Sequence, residues 1–242
     1  MTSRKLVILS YAFFEDRYEQ NLEKLLNGIL KAPKGSIVLA PELCLTNFSF
    51  DDMEKSAKFG EEALKKIKDA SKDKIVSFSL TTKKDGDYFN TVLIISDGIV
   101  KYEQNKYKLF KFGDEDKYFK AGDEEDIKIV EIDGIKFATL ICFEIRFKQL
   151  WQRIEGADII LIPALWGKLR KKQFEIITSS LAVINQAYVM ASGSKNSDMA
   201  ASSSIITPFG DRVLDDSKDY LELETDLSDI KKMRRYMDVG IK

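Results

Sequence analysis

The chain contains no histidine. This absence excludes the Ser-His and Cys-His catalytic pairs, the common zinc sites and imidazole as a general base. Any acid–base chemistry near neutral pH must therefore come from carboxylates, lysine, tyrosine or cysteine whose pKa values are shifted by their surroundings.

Other shortages narrow the class of protein further. Two cysteines in 242 residues cannot form a disulfide framework, and no apolar run approaches the roughly 20 residues that span a bilayer. The first apolar run is followed by Glu15, Asp16 and Arg17 without a small-residue cleavage site, which predicts a first strand. The formal net charge of -1 gives no overall field that would attract nucleic acid or anionic lipid. We therefore expect a cytoplasmic protein with no nucleic-acid or membrane partner.

The order of hydrophobic patterns predicts a single α/β domain over residues 1–242. Short β-rich runs alternate with amphipathic stretches, and the chain has no linker, low-complexity tract or internal repeat. Asp-Gly pairs at 85–86, 97–98 and 133–134 indicate tight turns between strands. Strands are predicted at 5–13, 36–42, 74–80, 90–96, 99–105, 127–132, 135–143, 157–164, 187–193, 203–208 and 221–225, and helices at 17–31, 52–70, 147–154 and 171–186.

Two of these apolar strands end in a functional group, one in Glu42 and the other in Cys142. Strand ends that open into loops are where α/β folds collect catalytic side chains. A cysteine after an apolar run is often only a small buried hydrophobe, but the charged neighbours Glu144 and Arg146 favour a functional thiol. Cys44 lies within an apolar segment and is interpreted as a packing residue.

A thiol needs a base or a cation to react quickly at neutral pH. A carboxylate at Glu42 would be desolvated, and this cost is tolerated when the group is paired or takes part in catalysis. An ordinary loop glutamate fits the pattern equally. Lys106 and Lys108 follow strand 99–105 in alternation and are predicted to point to one side; solvated lysines are the alternative. One carboxylate, one lysine and one thiol would form a complete set for acyl transfer.

The chain resembles the nitrilase superfamily of carbon–nitrogen hydrolases, and within it the small ω-amidase-like members. Three segments carry the resemblance over almost the whole chain: Pro41-Glu42, Lys106-Tyr107-Lys108-Leu109-Phe110 and Ile141-Cys142-Phe143-Glu144-Ile145-Arg146-Phe147. Supporting matches are Glu115 ahead of Tyr118-Phe119, Pro163-Ala164-Leu165-Trp166, Asn185-Gln186-Ala187-Tyr188-Val189 and Ser203.

The resemblance implies a four-layer α-β-β-α sandwich that pairs with a second copy as a homodimer. It implies that Cys142 attacks the amide carbon and that Glu42 accepts the thiol proton and later activates water. Lys106 would hold the oxyanion together with the backbone N–H of Phe143, and Glu115 would position the substrate and the lysine. No metal or organic cofactor is expected.

The substrate is expected to be a small-molecule amide, with an ω-amide of a dicarboxylic acid favoured. Arg146 would bind its distal carboxylate, or would instead form an ion pair with Glu144 or another buried carboxylate. Trp166 and Phe143 would line the pocket or belong to the core. Alternative functions are an amidase acting on deaminated glutathione or an N-carbamoyl compound, or an inactive scaffold of the same fold.

The sequence departs from the family pattern at two places. Lys108 stands where relatives carry a histidine, which should alter local packing or charge but not the chemistry. Residues 192–198 lack the Asn-Arg pair common there, which bears on substrate choice more than on reaction type.

Overall fold

The computed structural model describes residues 3–241, which form two six-stranded sheets flanked by helices. The first sheet contains β1 (Ser3–Leu9), β2 (Ile37–Leu39), β3 (Ile75–Lys84), β4 (Asp87–Ser96), β5 (Ile99–Asn105) and β12 (Tyr220–Asp226). The second contains β6 (Val130–Ile132), β7 (Ile135–Thr139), β8 (Ile159–Ala164), β9 (Tyr188–Gly193), β10 (Ser204–Ile206) and β11 (Arg212–Leu214). The helices are α1 (Tyr18–Lys31), α2 (Met53–Ala70), α3 (Glu115–Tyr118), α4 (Lys148–Arg153), α5 (Lys171–Asn185) and α6 (Ser228–Tyr236).

Each sheet has a parallel centre and antiparallel edges. In the first sheet the order is β12-β1-β2-β3-β4-β5, with β1, β2 and β3 parallel. In the second it is β11-β10-β9-β8-β7-β6, with β7, β8 and β9 parallel. Parallel strands end at the same edge of a sheet. The segment that follows β2 therefore lies beside the segments that follow its parallel neighbours, and the same holds for β7.

Three apolar layers hold the sandwich together. Side chains alternate along β1, so that Leu6 and Ile8 pack between the two sheets while Val7 and Leu9 pack under α1 and α2. The second sheet packs its outer face on α4 and α5 through residues such as Ile160. Burial on both faces explains the nearly continuous apolar sequence of the central strands. The predicted four-layer α-β-β-α sandwich is confirmed.

The three Asp-Gly pairs form the predicted turns. Asp85 and Gly86 have φ angles of 52° and 88°, and the other two pairs have positive angles at both positions as well. Two consecutive residues with positive φ match the twist of antiparallel hairpins, and Asp-Gly adopts this conformation at little cost.

Several predicted boundaries were wrong, and two of them concern candidate site residues. β2 ends at Leu39 and β7 at Thr139, so Glu42 and Cys142 follow their strands rather than ending them. Cys142 has a φ of 47°, which no strand residue adopts, and it begins a 3-10 turn over Cys142–Arg146. The elements α3, β11 and α6 were not predicted. The first two are only four and three residues long, and α6 is mostly polar and buries only Ile230 and Met233.

Within residues 3–241, every helix falls short of the length and apolar character that crossing a bilayer requires.

Candidate active site

An ammonium group lies between two carboxylates near the ends of the first-sheet strands. Lys106 follows β5, and its backbone N–H donates to the carbonyl oxygen of Asn90 on β4 at 2.8 Å. Its Nζ donates to Glu42 Oε1 at 2.7 Å and to Glu115 Oε1 at 2.8 Å. Lys106 and Glu42 are fully buried and Glu115 is 4% exposed. Three charged groups so enclosed persist only because they are paired with one another.

Glu42 is held at both of its oxygens. Asn90 Nδ2 donates to Oε1 at 2.8 Å, beside the bond from Lys106, and the backbone N–H of Leu165 donates to Oε2 at 2.9 Å. Leu165 follows β8 of the second sheet. The carboxylate is therefore fixed between the two sheets.

The charge state of the lysine follows from its partners. Burial alone lowers the pKa of Lys106, but the negative charges of Glu42 and Glu115 raise it more, so that its pKa is raised overall. Burial raises the pKa of Glu115, against the opposing effect of Lys106. The ammonium form of Lys106 is therefore retained throughout the neutral range.

Cys142 lies close to this charged group. The residue is 7% exposed, and the backbone N–H of Leu165, which donates to Glu42 Oε2, lowers the pKa of its thiol. Burial and then the negative charge of Glu42 raise the pKa of Cys142 well above its usual value, although Lys106 lowers it. The sulfur is consequently a neutral thiol at rest and needs a base to become a nucleophile.

A cavity of about 230 Å³ opens next to this thiol. It is walled largely by aromatic rings and carries two arginines and one carboxylate. Its lining residues are Phe48, Phe50, Phe110, Gly113, Glu115, Cys142, Phe143, Arg146, Leu165, Trp166, Gly167, Arg170 and Met199. This combination of aromatic walls and a few charged groups is typical of a site for a small organic molecule.

The residues predicted to position the substrate all line the cavity: Glu115, Phe143, Arg146 and Trp166. The alternative ion pair between Arg146 and Glu144 was wrong. Arg146 donates to the side-chain oxygen of Gln173, and its guanidinium carbon lies 4.9 Å from the ring centroid of Trp166. Glu144 is engaged by backbone groups instead.

The alternation that would place Lys106 and Lys108 on one side does not apply, because β5 ends at Asn105. Lys108 Nζ lies 4.0 Å from the ring centroid of Tyr107 and 5.2 Å from that of Phe147. The Lys108 ammonium is thus placed over two aromatic rings.

Glu144 binds three backbone N–H groups next to the site, and these contacts were not predicted from the sequence. It is fully buried, and its Oε2 accepts from the backbone N–H of Ile141 at 2.7 Å. Its Oε1 accepts from Tyr107 N–H at 2.7 Å and Lys108 N–H at 3.3 Å. One carboxylate thus joins the residue before the thiol to the two residues after the buried lysine. Burial raises the pKa of Glu144 to about 7, although these N–H groups oppose the shift.

This raised pKa predicts that the protein becomes less stable as pH rises from 4.5 to about 7. The folded state keeps a proton on Glu144 up to about pH 7, whereas the unfolded state loses it near 4.5. Between those values the folded state binds more protons, so the free energy of unfolding falls with rising pH, by about 3 kcal/mol from this group. Urea denaturation at a series of pH values measures the slope.

Glu144→Gln should flatten that slope, because the titrating group is gone. A smaller slope of the same sign is expected to remain, since the pKa of Glu115 is raised as well. A slope equal to that of the wild type would show that Glu144 does not titrate in this window.

Other site residues gave little signal in the sequence. Asn90, which holds Glu42, is a polar residue at the start of a mainly apolar run on β4, and nothing else in the sequence indicates its role. Phe48, Phe50 and Phe110 resemble core residues in sequence. Arg170 lies in the basic stretch 168–172, a pattern typical of a solvated face, yet it lines the cavity.

Comparison with known proteins shows the family. The family model described as carbon-nitrogen hydrolase matches residues 9–235, and the chain belongs to this family. It is 31% identical over 236 residues to the 2-oxoglutaramate amidase of Bacillus subtilis (strain 168), a match that covers 91% of this chain and 90% of the relative. It is 26% identical over 206 residues to the deaminated glutathione amidase of Escherichia coli O157:H7, covering 80% and 79%. The predicted resemblance to ω-amidase-like members of the nitrilase superfamily is confirmed.

Solved structures share the fold. A CN-hydrolase superfamily protein from Xanthomonas campestris, with an arsenic adduct in its active site, superimposes with a TM-score of 0.85 at 18% identity, over 98% of this chain and 96% of that one. A glutamate-to-glutamine mutant of the amidase from Nesterenkonia sp. AN1, which shows covalent addition of the acetamide moiety of fluoroacetamide at its active-site cysteine, gives 0.83 at 16% identity, over 96% and 94%.

Proposed function

We propose that this protein is an amidase that hydrolyses the ω-amide of a small dicarboxylic acid through a thioester on Cys142, releasing ammonia. The observation that carries the proposal is the buried Lys106 ammonium, held at 2.7 Å by Glu42 and 2.8 Å by Glu115 beside a thiol that lines a cavity. An inactive scaffold has no use for three charged groups enclosed around a thiol.

In the first step the thiol becomes the nucleophile. Oε1 of Glu42 is engaged by Lys106 and Asn90, whereas Oε2 accepts from the backbone N–H of Leu165. Oε2 of Glu42 takes the Sγ proton as sulfur bonds to the amide carbon. The oxyanion that forms is stabilised by Lys106 and by the backbone N–H of Phe143.

The tetrahedral intermediate then collapses. Glu42 gives its proton to the amide nitrogen, the C–N bond breaks, and ammonia leaves a thioester on Cys142. Water enters, Glu42 removes one of its protons, and oxygen bonds to the thioester carbon. The C–S bond breaks, sulfur recovers the proton from Glu42, and the carboxylic acid is released.

The chemistry of the cavity supports an amide that carries a second, charged end. Two guanidinium groups, those of Arg146 and Arg170, line a wall that is otherwise mainly aromatic. A carboxylate at the far end of the substrate would be paired there, while the neutral amide faces Cys142. The likeness to 2-oxoglutaramate amidase agrees with this substrate class.

Ammonia release from a short panel of amides tests the proposal. The panel contains 2-oxoglutaramate, glutarate monoamide, pentanamide, deaminated glutathione and an N-carbamoyl amino acid. We expect the dicarboxylate monoamides to be the best substrates. Preference for deaminated glutathione would favour the activity named for the second relative. No ammonia from any of them would contradict the amidase proposal.

We also infer that two copies of the chain associate through the outer face of α5. Ile176, Val183 and Ile184 on this helix are 54%, 43% and 57% exposed, which is unusual for three apolar side chains of one helix. The family resemblance implies a homodimer, and an apolar helix face gives it a contact surface.

Ile184→Glu should therefore convert the dimer to monomers. Light scattering of the wild type should give about twice the chain mass of 27.6 kDa, and of the variant the chain mass itself. Ile99→Glu is the matched control, because Ile99 is 58% exposed but lies on β5. A wild-type monomer, or the same response to both substitutions, would contradict this interface.

A further inference from the structure

We infer that Arg170 binds the distal carboxylate of the substrate and sets the preference for anionic over neutral amides. This inference rests on the proposed function. It concerns a residue that the family motifs do not single out and that follows β8 on the 3-10 turn Lys168–Arg170.

The guanidinium of Arg170 lacks a polar partner. Among residues 3–241 no carboxylate lies within ion-pair distance of it, and none of its N–H groups donates a hydrogen bond. The guanidinium instead lies over the ring of Phe110, whose centroid is 5.2 Å from the guanidinium carbon. Arg170 is half-buried on the cavity wall. A partly desolvated cation with five unused donors is a site for an anion.

Arg146 is a weaker candidate for the same role. Its side chain is exposed and already donates to Gln173. The one carboxylate on the cavity wall, that of Glu115, is paired with Lys106 at 2.8 Å. Glu115 therefore does not neutralise Arg170, and an incoming carboxylate meets an uncompensated positive charge there.

The backbone holds Arg170 in place. Its N–H donates to the carbonyl oxygen of Gly167 at 3.0 Å, and its own carbonyl oxygen accepts from Trp166 Nε1 at 2.9 Å. A Cβ on Gly167 would lie 2.9 Å from Nη2 of Arg170, so a larger residue there would displace the guanidinium from its present position. The glycine and the arginine act together, since the first permits the position of the second.

Two substrates of equal length measure the effect of this charge. Glutarate monoamide carries the distal carboxylate and pentanamide does not. The quantity compared is the ratio of kcat/KM for the first to kcat/KM for the second. We expect Arg170→Gln to lower this ratio by about 10- to 100-fold, mainly through KM for the monoamide. Arg170→Lys should fall between, because lysine supplies charge without the planar fork.

Two further variants separate the site from a general charge effect. Gly167→Ala keeps the arginine but displaces its head, and should lower the ratio less than Arg170→Gln does. Lys168→Gln removes an exposed charge from the same turn, outside the cavity wall, and should leave the ratio unchanged.

Calorimetric titration with glutarate provides a readout that does not need turnover. Binding should weaken about 10- to 100-fold in Arg170→Gln. If the wild type hydrolyses neither amide, the proposed function fails, and glutarate binding alone then decides the role of Arg170. If Arg170→Gln leaves both the ratio and glutarate binding at wild-type values, the inference is overturned while the amidase proposal stands.

Discussion

Replacement of Cys142 by alanine is expected to lower ammonia release from the best amide by on the order of 10⁴-fold or more. The substitution removes the atom that forms the thioester. The chain has no histidine to replace it, and the other thiol, that of Cys44, is not among the residues that line the cavity. Steady-state ammonia assays on the purified variant measure the loss.

Cys44→Ala is the matched control for this variant. Cys44 is fully buried, and burial raises its pKa to about 12, so it packs as an unreactive thiol. We expect its replacement to reduce stability by about 1 kcal/mol and to leave turnover within a few-fold of wild type. Comparable losses in both variants would assign the effect of Cys142→Ala to packing.

Replacement of Glu42 by glutamine should lower kcat by about 10²- to 10⁴-fold, because both acylation and hydrolysis of the thioester lose their base. Glutamine has the size of glutamate, and its amide oxygen can still accept from Lys106 and Asn90. Its amide nitrogen, however, would face the Leu165 N–H that donates to Oε2 at 2.9 Å. Single-turnover assays with glutarate monoamide separate the two steps.

The exposed carboxylate of Glu155 provides a control for the loss of one negative charge. Glu155→Gln removes one negative charge at the surface and should keep wild-type kcat. Thermal unfolding of both variants checks that each remains folded. A Glu42→Gln protein that stays folded and turns over at the wild-type rate would remove Glu42 from the mechanism.

Much of the fold could be predicted because its determinants are local. The apolar runs of β1, β3, β4 and β8 are buried on both faces, and their sequences show it directly. The Asp-Gly pairs fix the tight turns, since these residues favour positive φ. The placement of Glu42 and Cys142 after apolar strands was visible for the same reason.

The rest of the site depends on contacts between segments far apart in the chain. Asn90 and the Leu165 N–H hold Glu42 from different sheets, and no periodicity marks either of them. Glu144 joins its own turn to the segment after Lys106, and its neighbour Arg146 suggested a different partner. Arg170 looked like one more charge in a basic stretch, because its approach to the cavity depends on the space left by Gly167.

The central claim is that Cys142 carries the acyl group. The most direct test is peptide mass mapping after Glu42→Gln is mixed with the mono-p-nitrophenyl ester of glutaric acid and quenched with acid. The loss of Glu42 slows both steps, but nitrophenol is a far better leaving group than ammonia and needs no general acid. Acylation is therefore slowed less than hydrolysis, and the thioester should accumulate. We predict one glutaryl group per chain, on the peptide that contains Cys142 and not on that of Cys44. Nitrophenol release with Cys142 unmodified, or with the glutaryl group on another residue, would contradict the account.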